Sequence, residues 1–378
     1  MTQRYSYKEF FKNLYKNTKQ DYTFQAQTRE EASQWKKDFQ YAIRETLGIN
    51  QLEALTLEWC GRQSQNAEKQ KENAEKAGNV KLLESVAEDG YTRRKYLLET
   101  LPEVYMPFYM LIPDRVSGQN PGKGIIAIPA HGANKEVVAG TFVGDAVREK
   151  LQKTPKEAYG LEFVKRGYVA FCPDPPGYGE RMESVAGEES AFTPDFKQDP
   201  LGCSCKNLAL TAEALGLSLI GLEIWDMLRL LDFAAACPEV NKEKIGCAGF
   251  SGGGQYTMWL AALDDRIQTA VVSGYVHGYF DSIMDVHLCS CNYAPGIWKL
   301  GDISDFCSLI APRPLFVENG FYDPENGYRG IDGPKEQVEK IRQAYRLYGK
   351  EENLQHVTPE GPHMWYGECF DFVEKALG

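Results

Sequence analysis

The sequence predicts an α/β fold, a mostly parallel central sheet with helices on both faces, preceded by an N-terminal helical extension. Three observations lead to this reading. Short, continuous apolar runs such as Gly124–Pro129 (GIIAIP) alternate with stretches of helical periodicity. Those runs do not alternate polar with apolar, so each suits a strand covered on both faces. The alternation begins only near Tyr91, and the first ninety residues have a different character.

The 378 residues can bury a large core, and 43% hydrophobic with 25% charged residues is ordinary for a globular chain. A net charge of -11 repels both nucleic acid and anionic membrane surfaces, so neither is expected as a partner. The N-terminus has no apolar run of signal-peptide length, and no stretch approaches the ~20 apolar residues of a membrane span. The expected compartment is therefore the cytoplasm. Ten cysteines in a chain this long do not describe a disulfide scaffold. Cys172, Cys237 and Cys247 stand in apolar context and read as buried free thiols.

Within residues 1–90, Trp35, Phe39, Ile43 and Leu47 recur every four residues on one helix face, and Gly48 supplies a stop. The tract from Gln63 to Lys76 is almost wholly polar and reads as a solvated helix or exposed loop. Phe10, Phe11 and Tyr15 are exposed aromatics that suit an interface in a homo-oligomer. The main domain, residues 91–378, opens with strands at Tyr91–Thr100 and Val104–Ile112, joined by a turn at Leu101-Pro102-Glu103. Further strands are read at 124–129, 168–172, 244–250, 269–273, 314–318 and 355–358. Between them lie a long apolar helical stretch over 208–236 and helices at 253–263, 335–348 and 366–377. In such sheets a ligand site lies beyond the carboxyl ends of the strands.

At one such end stands Gly249-Phe250-Ser251-Gly252-Gly253. A serine on a very sharp strand-to-helix turn brings backbone into close approach, which only glycine tolerates, and it aims the first amides of the next helix at the hydroxyl. Ser251 is therefore the candidate nucleophile, with the Gly252 amide as an oxyanion donor. A serine hydroxyl needs a base, and the base needs an orienting acid, in the chain order Ser, Asp or Glu, His. Two histidines lie late enough, His356 inside the last strand and His363 in the loop after it; His363 is the candidate base. For the acid, Glu318, Asp323, Glu325 and Asp332 follow the preceding strand. Asp323, just beyond the strand, is chosen, and Glu325 is its main rival. The second oxyanion donor is sought in Ile128-Pro129-Ala130-His131-Gly132-Ala133-Asn134, with the Ala133 amide preferred and Gly132 second. His131 itself reads as structural. His287-x-Cys289-x-Cys291 could project three ligands from one strand face, and Cys203-x-Cys205 could add thiolates, but no fourth ligand is evident, so no metal is expected.

From Tyr91 onward the sequence resembles the acetyl xylan esterase and dienelactone hydrolase-like branch of the α/β-hydrolases. Besides the triad, the matching segments are Asp174–Arg181 (DPPGYGER), Leu263–Ile267, His287–Gly296 and Leu309–Leu315. The resemblance covers most of the final three quarters of the chain. It implies an α/β-hydrolase fold, a serine esterase acting on small acyl esters, no cofactor, and an insert at about 182–207 beside the pocket. One departure falls after His131-Gly132, where Ala-Asn-Lys replaces a second His-Gly. A serine peptidase of the prolyl-oligopeptidase type would need a propeller domain that ~90 helical residues cannot form. A non-catalytic binding protein would not need nucleophile, acid and base in order.

Overall fold

A computed structural model describes residues 5–63, 79–183 and 201–378. Nine strands form one sheet: β1 Val80–Glu88, β2 Tyr91–Leu101, β3 Val104–Pro113, β4 Gly122–Ile128, β5 Val169–Pro173, β6 Val240–Phe250, β7 Ile267–Ser273, β8 Leu315–Glu318 and β9 Leu354–Val357. Their spatial order is β1-β2-β3-β5-β4-β6-β7-β8-β9. The first three strands and β5 pair antiparallel. From β5 through β4 to β9 every pairing is parallel. The fold is therefore the expected α/β sheet with helices on both faces.

The apolar runs are explained by burial on both sides. In β4, Ile126 and Ile128 enter one core while Ile125 and Ala127 enter the other; in β5, Val169 and Phe171 oppose Ala170 and Cys172. Since successive side chains point to opposite faces, a strand sandwiched between two helical layers must be apolar at every position. One layer contains helices Leu219–Ala236, Gly252–Leu263 and Asp332–Tyr348, and the other contains Tyr159–Lys165 and Phe370–Leu377. Cys172, Cys237 and Cys247 are buried and free, as their context predicts.

Three differences from the sequence reading are structural. The helical reading of the first ninety residues missed β1, which pairs with β2 along its length. The long helical stretch at 208–236 is two helices, Cys205–Ala214 and Leu219–Ala236, because the chain turns at Gly216 (φ +78°) and Ser218 caps the second helix through Gly221. Their axes differ by 103°, and no single helix among the described residues is long and apolar enough to cross a membrane. Tyr15 is not an exposed aromatic: its ring stacks between Phe280 and Trp298, with centroids 4.1 and 4.2 Å away. Phe10 and Phe11 do remain exposed. The polar tract beyond Gln63 and most of the insert, residues 184–200, lie outside the described residues.

The N-terminal helices are part of the core. Phe39, Ile43 and Leu47 are fully buried, as their four-residue spacing requires. Phe39 stacks on Tyr22 and Phe306, and Tyr22 N donates to Leu300 O at 2.9 Å. Gln40 Nε2 donates to Ala262 O at 2.7 Å, so this extension also grips the end of the helix that follows Ser251.

Candidate active site

β6 ends at Phe250, and Ser251 takes φ +54°, ψ −119° before the helix Gly252–Leu263 begins. That conformation is strained for a residue with a Cβ and is held from both sides. Ser251 N donates to Ser273 O at 2.8 Å, and Gln255 N donates to Ser251 O at 3.0 Å. The flanking glycines are obligatory. A Cβ on Gly249 would sit 2.2 Å from Gly253 O, and one on Gly253 would sit 2.0 Å from Ile128 O. The Gly252 N–H, at the first helical position, is left for a ligand, as first-turn amides are.

His363 Nδ1 lies 2.6 Å from Asp323 Oδ2. The Asp323 carboxylate is itself oriented, since Oδ1 accepts from Glu325 N at 2.8 Å. The imidazole reaches the serine elbow: its ring is 4.5 Å from that of Phe250, and a Cβ on Gly274 would meet its Cε1 at 3.1 Å. His363 Nε2 is buried and makes no hydrogen bond among the described residues, with Glu325 Oε2 3.4 Å away. Burial alone would lower the pKa of this histidine. The Asp323 hydrogen bond and then the charges of Glu325 and Asp323 outweigh it, so the pKa stands above the ordinary histidine value. Burial pushes the Glu325 carboxyl up, and Asp323 adds to that push.

The rival residues have other roles. Glu318 is buried at the end of β8 and accepts from Ser273 Oγ at 2.8 Å, Tyr366 N at 3.0 Å and Glu368 N at 3.2 Å. It ties down the loop that carries His363. Asp332 begins the helix Asp332–Tyr348. His356 sits in β9, where burial takes its pKa down to about 4.

The second oxyanion donor needs correction. Ala133 N already donates to Ala130 O at 3.1 Å in the turn after β4, so the preferred amide is occupied. Gly132, the second choice, makes no such bond among the described residues and takes φ +71°. This loop is held rigidly to the loop after β5. Lys135 and Asp174 are both fully buried; Asp174 accepts from Lys135 Nζ at 2.7 Å and from Lys135 N at 2.9 Å. Glu136 and Glu180 complete the pairing of the ammonium at 2.7 and 2.5 Å.

Ser251 opens into a cavity of about 290 Å³ lined by His131, Gly252, Tyr275, Cys289, Asn292 and Glu325, among others. No N-terminal helix residue lines it among the described residues. No strand runs through 287–291, so His287, Cys289 and Cys291 do not share a strand face. His287 ends a helical stretch, Tyr279–His287, at φ +58° and is exposed, while Cys289 caps the short turn Ser290–Asn292 and Cys291 lies within it, facing inward. There they meet Cys205 and His131, not His287.

Sequence reasoning also missed His277. It is fully buried beyond β7, neither ring nitrogen has a hydrogen-bond partner among the described residues, and its pKa is lowered to about 4, chiefly by burial. The signal was its position: it follows the strand adjacent to β6 at the same carboxyl edge.

A family model described as the Abhydrolase family matches residues 2–281, about three quarters of the chain. The chain belongs to the Abhydrolase family. The match ends before Asp323 and His363, so those residues rest on the geometry above. A Bacillus subtilis (strain 168) protein named "Putative hydrolase YtaP" is 27% identical over 240 residues, covering 60% of this chain and 68% of that protein. Among solved structures, a "putative acetyl xylan esterase" from Bacteroides fragilis NCTC 9343 superposes with a TM-score of 0.72 at 21% identity, covering 94% of this chain and 83% of that one. A glucuronoyl esterase from Solibacter usitatus gives 0.55 at 13% identity, covering 79% and 86%. At these identities the structural likeness shows the shared fold.

Proposed function

We propose that this Abhydrolase-family protein is a serine carboxylic-ester hydrolase that works through an acyl-enzyme on small acyl, acetyl-like esters of sugars or other small molecules. The observation that carries the reading is the serine held at φ +54°, whose neighbour Phe250 has its ring 4.5 Å from a histidine that is bound through Nδ1 to a buried aspartate at 2.6 Å. Ser251 Oγ attacks the ester carbonyl carbon, and its proton passes to His363 Nε2. Asp323 fixes the tautomer that leaves Nε2 free to accept and stabilises the imidazolium that results. The carbonyl oxygen becomes an oxyanion facing the Gly252 amide, with Gly132 as the second donor in place of Ala133. His363 then returns the proton to the leaving alkoxide, and water repeats the sequence on the acyl-enzyme. These steps call for no cofactor.

The cavity of about 290 Å³ suits a small acyl group. The names of the structural relatives, acetyl xylan esterase and glucuronoyl esterase, favour an ester carried on a sugar. The test is p-nitrophenyl acetate turnover by the wild type and by Ser251→Ala, with a fluorophosphonate probe mapped by peptide mass. Expected are loss of turnover in the variant and label on Ser251. Equal rates, or label elsewhere, would overturn the proposal.

A further inference from the structure

Four side chains outside the triad converge on one point beside the nucleophile. His131, Cys205, Cys289 and Cys291 place their ligand atoms within 4.8 Å of one another. His131 Nε2 is 3.2 Å from Cys291 Sγ and 3.9 Å from Cys205 Sγ. They come from three separate parts of the chain: the loop after β4, the return of the insert, and the loop after β7. We infer that this Cys₃His group is a binding site for one zinc ion, which cross-links the three loops that wall the Ser251 cavity.

The chemistry of the donor set supports zinc. Three soft thiolates and an imidazole make a closed tetrahedral site, the form that structural zinc adopts. Zn–S of about 2.3 Å and Zn–N of about 2.0–2.1 Å in a tetrahedron need S···S near 3.8 Å and S···N near 3.6 Å. The observed spacings lie within tenths of an ångström to about an ångström of these values, which side-chain rotation can supply. None of the three cysteines is in a disulfide.

The surroundings fix the donors in place. Cys205 and Cys291 are fully buried, and Cys205 begins the helix Cys205–Ala214, whose positive end offsets thiolate charge. Asn292 Nδ2 donates to Cys289 O at 3.0 Å and stands 3.6 Å from Cys291 Sγ, an amide donor to a ligand sulfur. Gln255, on the helix after Ser251, donates to Cys291 O at 2.6 Å. Upstream of Cys205, Ser204 N donates to Gly177 O at 3.0 Å, so the insert re-enters the fold at a fixed point. Zinc binding displaces the three thiol protons to solvent and needs no electron transfer.

One consequence reaches the catalytic face. Ligation through Nε2 leaves the His131 proton on Nδ1, and that nitrogen faces the Gly252 backbone, 2.7 Å from where a Cβ on Gly252 would sit. Zinc therefore sets both the tautomer and the orientation of a side chain that lines the Ser251 cavity.

The experiment is the metal content of the full chain, expressed with added zinc, purified without chelator and measured by plasma mass spectrometry. One zinc per chain is expected in the wild type and in Cys172→Ser, and far less in Cys205→Ser, Cys289→Ser and Cys291→Ser. Should those variants misfold, the wild type stripped with a chelator and reloaded with cobalt(II) is to show the intense visible bands of a tetrahedral thiolate complex. Wild-type protein without stoichiometric zinc and without that cobalt spectrum overturns the inference. Zinc lost in Cys203→Ser but kept in Cys289→Ser overturns the ligand set. Neither readout depends on turnover, so failure here is distinct from failure of the esterase reading.

Discussion

Replacing Glu325 by Gln separates two carboxylates that both touch His363. Asp323 holds Nδ1 at 2.6 Å, and Glu325 stands 3.4 Å from Nε2, the nitrogen that must be unprotonated to accept from Ser251. At 3.4 Å, opposite unit charges attract by about 1 kcal/mol at the dielectric constant of water, and by about 5 kcal/mol at an effective value of 20. A pKa unit corresponds to about 1.4 kcal/mol. The Glu325 carboxyl retains some contact with water, which screens the pair. That screening favours the lower figure, so removing the Glu325 charge should lower the His363 pKa modestly. The sign follows from the base role. The wild-type His363 pKa lies above the ordinary value, so kcat/KM should climb with pH through a point above that value. In Glu325→Gln that rising limb should move to lower pH while kcat on the plateau changes little. The assay is kcat/KM on p-nitrophenyl acetate across pH. A limb that stays in place, or moves upward, refutes the electrostatic argument. A collapse of kcat on the plateau would instead make Glu325 the orienting acid.

Asp323→Asn should lower kcat by about 10⁴-fold, since an amide favours the wrong histidine tautomer; steady-state rates at pH 8 check this. Lys135→Met leaves the buried Asp174 carboxylate without its cation and should cost about 3–5 kcal/mol in urea unfolding, with the unfolding slope unchanged. Phe39→Ala should cost about 3–5 kcal/mol by the same measurement, because Phe39 is fully buried between Tyr22 and Phe306.

The parts of this molecule that were legible in the sequence are those where a local pattern dictates a local structure. Ile125 to Ile128 can be apolar at every position only between two covered faces, and the elbow glycines leave no other residue at Gly249 or Gly253. Asp323 and His363 were found by chain order and loop position, and the structure brings them together at 2.6 Å. What was not legible depends on distant neighbours. Val80–Glu88 becomes a strand through its partner β2, since its own residues are mostly exposed. Ala133 looked like a free donor because the turn that uses its N–H is set by the path of the loop after β4. Cys205 could be weighed as a further thiolate beside Cys289 and Cys291, but His131, 74 positions before Cys205, could be added by no spacing rule.

Glu318, the buried carboxylate that receives Ser273 Oγ and the amides of Tyr366 and Glu368, has a consequence for the order in which the site is assembled. It makes the loop bearing the base depend on a sheet residue laid down some forty-five positions earlier. During synthesis the nucleophile elbow can be complete long before this clasp closes. A chain stopped before residue 366 would keep the Asp323 bond to His363 but lose the amides through which Glu318 holds the loop's far end. On the proposed function, docking of the segment from Tyr366 onward would be one of the last steps that fixes the His363 loop in place.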